Sequence, residues 1–190
     1  MRVIAGKYRS RRLQSLPGLE LRPTADRLRG TLFNVLTAGN PTALDGTVWV
    51  DLYAGTGAVG IEAISRGASM VHFVESSERA VRLIRQNLAS LEIDSGFQIL
   101  KQDSIGALRA LPSNDTVADF VFLDPPYEME PAYRQALQTL SKSSFLKDES
   151  IVITEHQKKF DPGEAFGSLR RYRKLVQGDV ALSFYRLNPA

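Results

Sequence analysis

From Val48 onward, the sequence alternates short runs rich in β-branched and aromatic residues with amphipathic segments. This alternation is typical of a parallel β-sheet with crossover helices. The predicted strands are Val48–Leu52, Met70–Glu75, Phe97–Lys101, Phe120–Asp124 and Ser150–Glu155. The predicted helices are Val59–Arg66, Glu78–Leu91, Ile105–Leu111 and Pro131–Leu140. Two later runs, Leu169–Val176 and Val180–Leu187, flank Gln177-Gly178-Asp179 and predict a terminal hairpin. The chain is therefore expected to have an α/β fold.

The N-terminal segment is strongly basic. Its first 29 residues contain eight Lys or Arg against Glu20 and Asp26, although the whole chain has a net charge of only +3. Such a basic arm on a mildly acidic body indicates a polyanionic partner; a solvated tail is the alternative. We expect Arg2–Ala5 and Arg12–Leu16 to form a small hairpin or to be disordered. Ala25–Leu36 should be an amphipathic helix. The cations expected to face the polyanion are Arg2, Lys7, Arg9, Arg11, Arg12, Arg22 and Arg27.

Composition excludes several classes of protein. The chain has 190 residues and no cysteine, so disulfides, thiolate metal sites and a cysteine nucleophile are impossible. No apolar run reaches the 18 residues of a membrane span, and the basic first 20 residues do not have the pattern of a signal peptide. We expect a soluble, cytoplasmic protein with no metal site. One domain is the default at this length, with residues 1–40 as a basic extension and residues 41–190 as the main α/β body.

A glycine-rich turn follows the first predicted strand. It spans Asp51-Leu-Tyr-Ala-Gly55-Thr-Gly57-Ala-Val-Gly60 and opens a helix at the carboxyl edge of the sheet, where α/β proteins bind ligands. The spacing also satisfies the GxGxxG pattern of nicotinamide dinucleotide sites. Asp51 favours S-adenosyl-L-methionine instead, because its carboxylate can bind the ammonium group of that cofactor. The same carboxylate would repel the pyrophosphate of a dinucleotide. We expect the loop residues Tyr53, Ala54, Gly55, Thr56 and Gly57 to contact the cofactor.

Two further acidic residues follow later strands. Glu75 can accept hydrogen bonds from both ribose hydroxyls, with Ser76 beside it. Asp103, followed by Ser104, could bind the adenine amine or could cap the next helix, and the sequence leaves these two roles open. His72 and His156 lie inside predicted strands without metal-ligand spacing and are assigned no function.

The sharpest motif is Asp124-Pro125-Pro126-Tyr127 after the fourth strand. Two prolines stiffen the backbone, so the carbonyls after Asp124 are fixed in direction. An exocyclic amine is a poor nucleophile because its lone pair is delocalised into the base. The Asp124 carboxylate and the Pro125 carbonyl could accept hydrogen bonds from both amine hydrogens. The Tyr127 ring could stack on a base that has been extruded from its helix. With no cysteine for pyrimidine C5 methylation, the motif predicts amine methylation by direct displacement.

Together these motifs resemble the class I, Rossmann-like methyltransferases with a [DN]PP[YFW] motif. More narrowly, the chain resembles the bacterial ribosomal RNA small-subunit methyltransferase D family. The resemblance covers nearly the whole chain and includes Arg2-Val-Ile-Ala-Gly6, Arg22-Pro-Thr24, Asp51–Gly60 and Asp124–Tyr127. It implies a seven-stranded sheet with an antiparallel last strand, and methylation of a guanine N2 amine in small-subunit rRNA. It also implies RNA contacts at Arg22 and Thr24. Gly30 departs from the family, which has an acidic residue there.

Two other functions compete with this prediction. The first is an amine methyltransferase acting on N6 of adenine in DNA or RNA, or on protein glutamine. The second is a dehydrogenase or binding protein that uses the glycine loop for another nucleotide. The basic arm and Arg22-Pro-Thr24 argue against the first, and the Asp124–Tyr127 motif argues against the second. The RNA partner is expected to be presented best within an assembled or partly assembled subunit.

Overall fold

The computed structural model describes residues 1–15, 23–111, 116–126 and 129–188, with side chains in the second range described from residue 26 onward. The chain divides into two compact units, Met1–Lys101 and Gln102–Ala190. Three predicted site residues, Arg22, Tyr127 and the side chain of Thr24, lie outside this description. No helix within the described ranges is long and apolar enough to cross a membrane.

The first unit contains a three-stranded parallel sheet. Its elements are α1 (Pro23–Leu36), β1 (Val48–Leu52), α2 (Ala58–Ser65), β2 (Met70–Val74), α3 (Glu78–Ser90) and β3 (Phe97–Leu100). Strand β2 lies in the middle and pairs in parallel with β1 and β3. Four of the five residues of β1 and of β2 are buried, as expected for strands covered on both faces. The fully buried side chains of this unit include Trp49, Phe73, Ile61 and Ile84.

Helix α3 illustrates how the sequence determines these elements. Ser77 caps its N-terminus by accepting a hydrogen bond from the Ala80 amide. Buried Val81, Ile84 and Leu88 recur at spacings of three and four residues, so one face of the helix packs into the core. The helix therefore has a fixed start and a fixed orientation.

The second unit contains a mixed sheet. Its elements are α4 (Ser104–Ala110), β4 (Ala118–Leu123), α5 (Glu130–Leu140), β5 (Leu146–Gln157), β6 (Ala165–Phe166), β7 (Leu169–Gln177) and β8 (Val180–Leu187). The strand order in this unit is β4-β5-β8-β7-β6. Strands β4 and β5 are parallel, whereas β8, β7 and β6 are antiparallel to their neighbours. These pairings confirm the predicted α/β class and the C-terminal hairpin.

Apart from shifts of one or two residues in the bounds of other elements, two elements of the second unit differ from the prediction. The two-residue strand β6 brings the described strands to eight instead of seven. Strand β5 begins at Leu146 rather than Ser150, because Ala118 of β4 pairs with Leu146 and the Ser150 hydroxyl donates to the Ala118 carbonyl. The intervening Lys147–Glu149 are exposed and charged, and such residues do not predict a strand.

Candidate functional site

The glycine loop connects β1 to α2 in the first unit. Tyr53 has a φ of 65°, in the left-handed region that non-glycine residues rarely occupy. Gly57 is the N-cap of α2 and provides no side-chain cap, so the helix start remains suited to an external acceptor. Ala54 is buried, while Gly55 and Thr56 are partly exposed. A strained turn that opens an uncapped helix is a common arrangement at ligand sites.

Gly60 allows α2 to pack directly on the sheet. A Cβ atom at this position would lie 2.3 Å from the Phe73 ring and 2.7 Å from a Val71 methyl carbon. The Gly60 amide donates to the Asp51 carboxylate at 3.0 Å, and Asp51 is only 2% exposed. The third glycine therefore has the packing role expected of this pattern, and Asp51 fixes the helix against the strand end.

Glu75 follows β2 and bridges two backbone segments. One carboxylate oxygen accepts from the Gly55 amide at 2.9 Å, and the other accepts from the Ser77 amide at 2.8 Å. Glu75 is partly exposed and Ser76 is exposed, so both can meet a ligand. A carboxylate oxygen can accept more than one hydrogen bond. Glu75 can therefore hold the loop and still accept from ribose hydroxyls.

Asp103 and Ser104 stand at the start of α4 in the second unit. Asp103 is the N-cap, and its side chain accepts from the Gly106 amide at 2.8 Å. The structure thus gives this exposed residue the capping role that the sequence had left open against adenine binding. Ser104 is buried.

The Asp124-Pro125-Pro126 segment begins directly after β4. Asp124 is partly buried, Pro125 is buried and Pro126 is exposed. The Pro126 carbonyl accepts from the Met129 amide at 2.8 Å, and α5 starts at Glu130. The motif is therefore held between a buried strand and a helix start, in an arrangement that limits its movement.

Tyr133 of α5 fixes the Pro125 carbonyl. Its hydroxyl oxygen lies 3.2 Å from the Pro125 carbonyl oxygen and 2.9 Å from the Glu155 carbonyl oxygen, so one proton is shared between two acceptors. The Tyr133 side chain is almost completely buried. A carbonyl oxygen has two lone pairs, so Pro125 keeps the capacity to accept a second hydrogen bond.

The N-terminal arm, residues 1–15, is folded onto α2 and α3. Arg2 and Arg12 form an antiparallel bridge, which confirms the hairpin rather than the disordered alternative. The fully buried Glu62 accepts from the Ile4 and Ala5 amides at 2.7 and 3.0 Å. A Cβ atom at Gly6 would lie 1.8 Å from the Ser65 carbonyl oxygen, so only glycine permits this approach.

The predicted RNA-facing cations project from this docked arm. All five are exposed: Arg2, Lys7, Arg9, Arg11 and Arg12. Arg27 of α1 is also exposed. By contrast, the neighbouring Arg29 is buried and pairs with Asp26 at 3.1 Å. The arm therefore has a fixed backbone and a solvent-facing positive surface.

Three residues of these sites were assigned no role from the sequence. Asn87 of α3 is fully buried and contacts both the arm and the glycine loop. Glu62 likewise holds the arm through the Ile4 and Ala5 amides, and Tyr133 holds the Pro125 carbonyl. In the sequence each occupies an ordinary position on an amphipathic helix, and only the packed structure identifies its partner.

The two histidines are structural. His72 contacts Gln98, and His156 lies 2.9 Å from the Ser183 hydroxyl. Burial lowers the pKa of both imidazoles. In the described part of the chain, no group of three His, Asp or Glu residues is arranged to hold a metal ion.

Comparison with known proteins identifies the family. The family model described as conserved hypothetical protein 95 matches residues 1–186. The Escherichia coli K12 ribosomal RNA small subunit methyltransferase D is 30% identical, over 98% of this chain and 89% of the relative. The Haemophilus influenzae protein of the same name is 36% identical, over 83% of this chain and 79% of that relative. The solved structure of Escherichia coli yhhF has a TM-score of 0.81 and 28% identity, covering 100% and 99% of the two chains. The chain therefore belongs to the conserved hypothetical protein 95 family, together with the proteins named ribosomal RNA small subunit methyltransferase D.

Proposed function

We propose that this protein is an S-adenosyl-L-methionine-dependent methyltransferase that modifies the exocyclic N2 amine of a guanine in small-subunit (16S) ribosomal RNA. The observation that supports this most strongly is the Asp124-Pro125 pair, whose acceptors follow a buried strand and are braced by Tyr133. The names of the relatives support the rRNA substrate. One structural neighbour, only 13% identical, was solved with S-adenosylhomocysteine.

The first unit is proposed to bind the cofactor. Asp51 would bind the ammonium group of the cofactor, and Glu75 would accept hydrogen bonds from the ribose hydroxyls. The other polar groups of the cofactor would be contacted by the loop residues Tyr53, Ala54, Gly55, Thr56 and Gly57. Ser76 would contact the adenosine part. An adenosine contact at Asp103 and Ser104, which belong to the second unit, stays a prediction from the sequence. When bound, S-adenosyl-L-methionine supplies an electrophilic methyl group on a sulfonium. The negative charge of Asp51 and Glu75 complements a cationic ligand better than a dinucleotide pyrophosphate.

The second unit is proposed to position the amine. The Asp124 carboxylate and the Pro125 carbonyl each accept one amine hydrogen, which favours the pyramidal, nucleophilic form. The bound cofactor would supply the methyl group to the amine nitrogen, with the N–C bond forming and the C–S bond breaking, and would leave as a neutral thioether. The proton lost from the amine is accepted by the Asp124 carboxylate and then passes to water. Pro126 stiffens the backbone, and Tyr127 stacks on the extruded base.

Residues 1–40 are proposed to form an RNA-facing extension of a methyltransferase domain at residues 41–190. Exposed Arg2, Lys7, Arg9, Arg11 and Arg12 would neutralise phosphates, with Arg22, Thr24 and Arg27 adding contacts. Because a guanine amine in a paired helix is shielded, the enzyme should prefer a folded RNA that exposes its target. An assembled or partly assembled subunit should therefore be a better substrate than naked transcript.

The test offers labelled cofactor with naked DNA, naked small-subunit rRNA and unmethylated small subunits in parallel. After digestion, the methylated nucleoside is identified. N2-methylguanosine from the RNA substrates, with the highest yield from subunits, supports the proposal. Methyladenine from DNA as the dominant product would overturn it in favour of an adenine N6 methyltransferase.

A further inference from the structure

The C-terminal hairpin of β7 and β8 contains a second concentration of positive charge. Four cations lie on β7 and one on β8, namely Arg170, Arg171, Arg173, Lys174 and Arg186. Side chains alternate between the two faces of a strand, and a β-bulge at Tyr172 shifts this alternation by one residue. The five cations are therefore divided between two faces with different surroundings.

On one face, the cations are neutralised by acidic partners. Arg171 contacts Asp161 at 2.6 Å and Glu164 at 3.0 Å, and Lys174 contacts Asp161 at 2.8 Å. Burial opposes ionisation of Asp161, but its hydrogen bonds with Arg171 and Lys174 outweigh this and lower the pKa of that carboxyl well below its usual range. These two cations therefore serve the fold.

The opposite face has cations without such partners. Arg170 of β7 lies directly across from Arg186 of β8, and Arg173 lies across from Phe184. Arg170, Arg173 and Arg186 are exposed, and within the described residues none of them lies within ion-pair distance of a carboxylate. Like charges directly opposite each other on paired strands destabilise a sheet. A bound anion would remove this cost.

An exposed aromatic ring lies among these cations. Tyr172 is 47% exposed, and the Arg186 guanidinium lies 4.6 Å above its ring centroid. An exposed aromatic ring beside a guanidinium group offers stacking surface for a base and hydrogen-bond donors for phosphates. An acidic protein segment would use the charges but would gain little from the ring. The combination fits unpaired RNA.

We propose that Arg170, Tyr172, Arg173 and Arg186 form a second RNA-contact surface, which we call the hairpin face. This proposal rests on the proposed function in taking RNA as the substrate. Within the second unit, β5 and β8 separate β4, which leads to Asp124, from β7. Three strand spacings correspond to about 14 Å across the sheet, and the strand registers place Arg170 and Arg186 level with Phe120, about 13 Å before Asp124 along the strands. The hairpin face would therefore bind nucleotides that flank the target and not the target itself.

The test measures RNA binding with charge-matched variants. The double variant Arg173→Gln/Arg186→Gln is compared with Lys142→Gln/Lys147→Gln, which removes two exposed cations at or before the amino end of β5. Dissociation constants for deproteinised small-subunit rRNA are measured across a salt series. The hairpin-face variant should bind about tenfold more weakly at physiological salt, and its log–log salt slope should fall by about 1.4, or ~0.7 for each phosphate contact. The control should stay close to the unmodified protein.

A second pair of variants isolates the stacking contribution. Tyr172→Ala should weaken RNA binding about fivefold or more, whereas Tyr172→Phe, which keeps the ring, should stay within about twofold. Equal affinity and slope for the two charge variants, or equal binding by Tyr172→Ala and Tyr172→Phe, would overturn the proposal. Because the readout is binding, a failure of the proposed function would appear separately, as the absence of N2-methylguanosine.

Discussion

Asn87 donates a hydrogen bond from its side-chain amide to the Thr56 carbonyl of the glycine loop, at 2.9 Å. The same side chain accepts from the Gln14 amide at 2.8 Å and donates to the Gln14 carbonyl at 3.1 Å. One fully buried residue therefore connects the basic arm to the proposed cofactor loop. Docking of the arm and the shape of the loop are expected to depend on each other.

Replacement of Asn87 by alanine tests this connection. The change leaves the Gln14 backbone groups and the Thr56 carbonyl without their partner, so the free energy of unfolding should fall by about 2–3 kcal/mol. Affinity for S-adenosyl-L-methionine should fall about three- to tenfold, measured by calorimetry. Ser90→Ala, one turn further along α3, is the control and should preserve affinity. A destabilised Asn87→Ala protein with unchanged cofactor affinity would limit Asn87 to a structural role.

Glu75→Ala should weaken cofactor binding by about 1–3 kcal/mol, because charge-assisted hydrogen bonds to the ribose and the bond to the Gly55 amide are both lost. Glu75→Gln keeps one acceptor oxygen and should lose less. Glu78→Ala removes a nearby carboxylate that pairs with Lys101 and is the matched control. Calorimetry with S-adenosyl-L-methionine measures all three variants. Wild-type affinity in Glu75→Ala, or tight binding of a nicotinamide dinucleotide, would contradict the proposed cofactor site.

Tyr133→Phe should slow methyl transfer about three- to tenfold, because the Pro125 carbonyl loses the hydroxyl that fixes its direction. Cofactor affinity should not change, since Tyr133 contacts the amine-binding segment. Tyr185→Phe removes another buried hydroxyl, which donates to the Gly163 carbonyl at 2.8 Å, and serves as the control. Single-turnover rates of methyl transfer are measured for both variants at saturating RNA and compared. Equal rates for both variants would assign Tyr133 to stability alone.

The basic arm can be tested without removing it. Deletion of residues 1–12 would leave buried Glu62 without the Ile4 and Ala5 amides and would destabilise α2. The substitutions Arg9→Gln/Arg12→Gln retain this docking because both side chains are exposed. The log–log salt slope of RNA binding should fall by about 1.4. A slope equal to that of Lys142→Gln/Lys147→Gln would mean that the arm is a solvated surface.

The fold was predictable to the extent that hydrophobic patterning determines it. Predicted and observed bounds coincide for Val48–Leu52 and Val180–Leu187, where apolar runs end at turn residues. Strand β6 was not predicted, because two residues give no periodic signal. Helix α1 continues through Gly30 although glycine has low helix propensity, and a Cβ atom added there would lie 3.8 Å from the Ile4 side chain.

The candidate site was predictable where chemistry leaves a local motif. The glycine turn and Asp124-Pro125-Pro126 are contiguous in sequence, so their positions after β1 and β4 follow from strand prediction alone. The bracing contacts of Asn87 and Tyr133 join residues that are distant in the sequence, for example Asn87 with Gln14. No local pattern encodes such pairs, because they arise only when helices pack on the sheet.

The proposed reaction is tested most directly by nucleoside mass spectrometry of small-subunit rRNA from a strain that lacks the gene. In that strain, N2-methylguanosine should decrease by one residue per RNA, and the unmodified gene should restore it. The Asp124→Ala gene should not restore it, although the purified variant should bind S-adenosyl-L-methionine within a few fold of normal. Asp124→Asn keeps one acceptor and should restore part of the modification. An unchanged N2-methylguanosine content in the deletion strain would contradict the proposed substrate, and full restoration by Asp124→Ala would contradict the proposed role of Asp124.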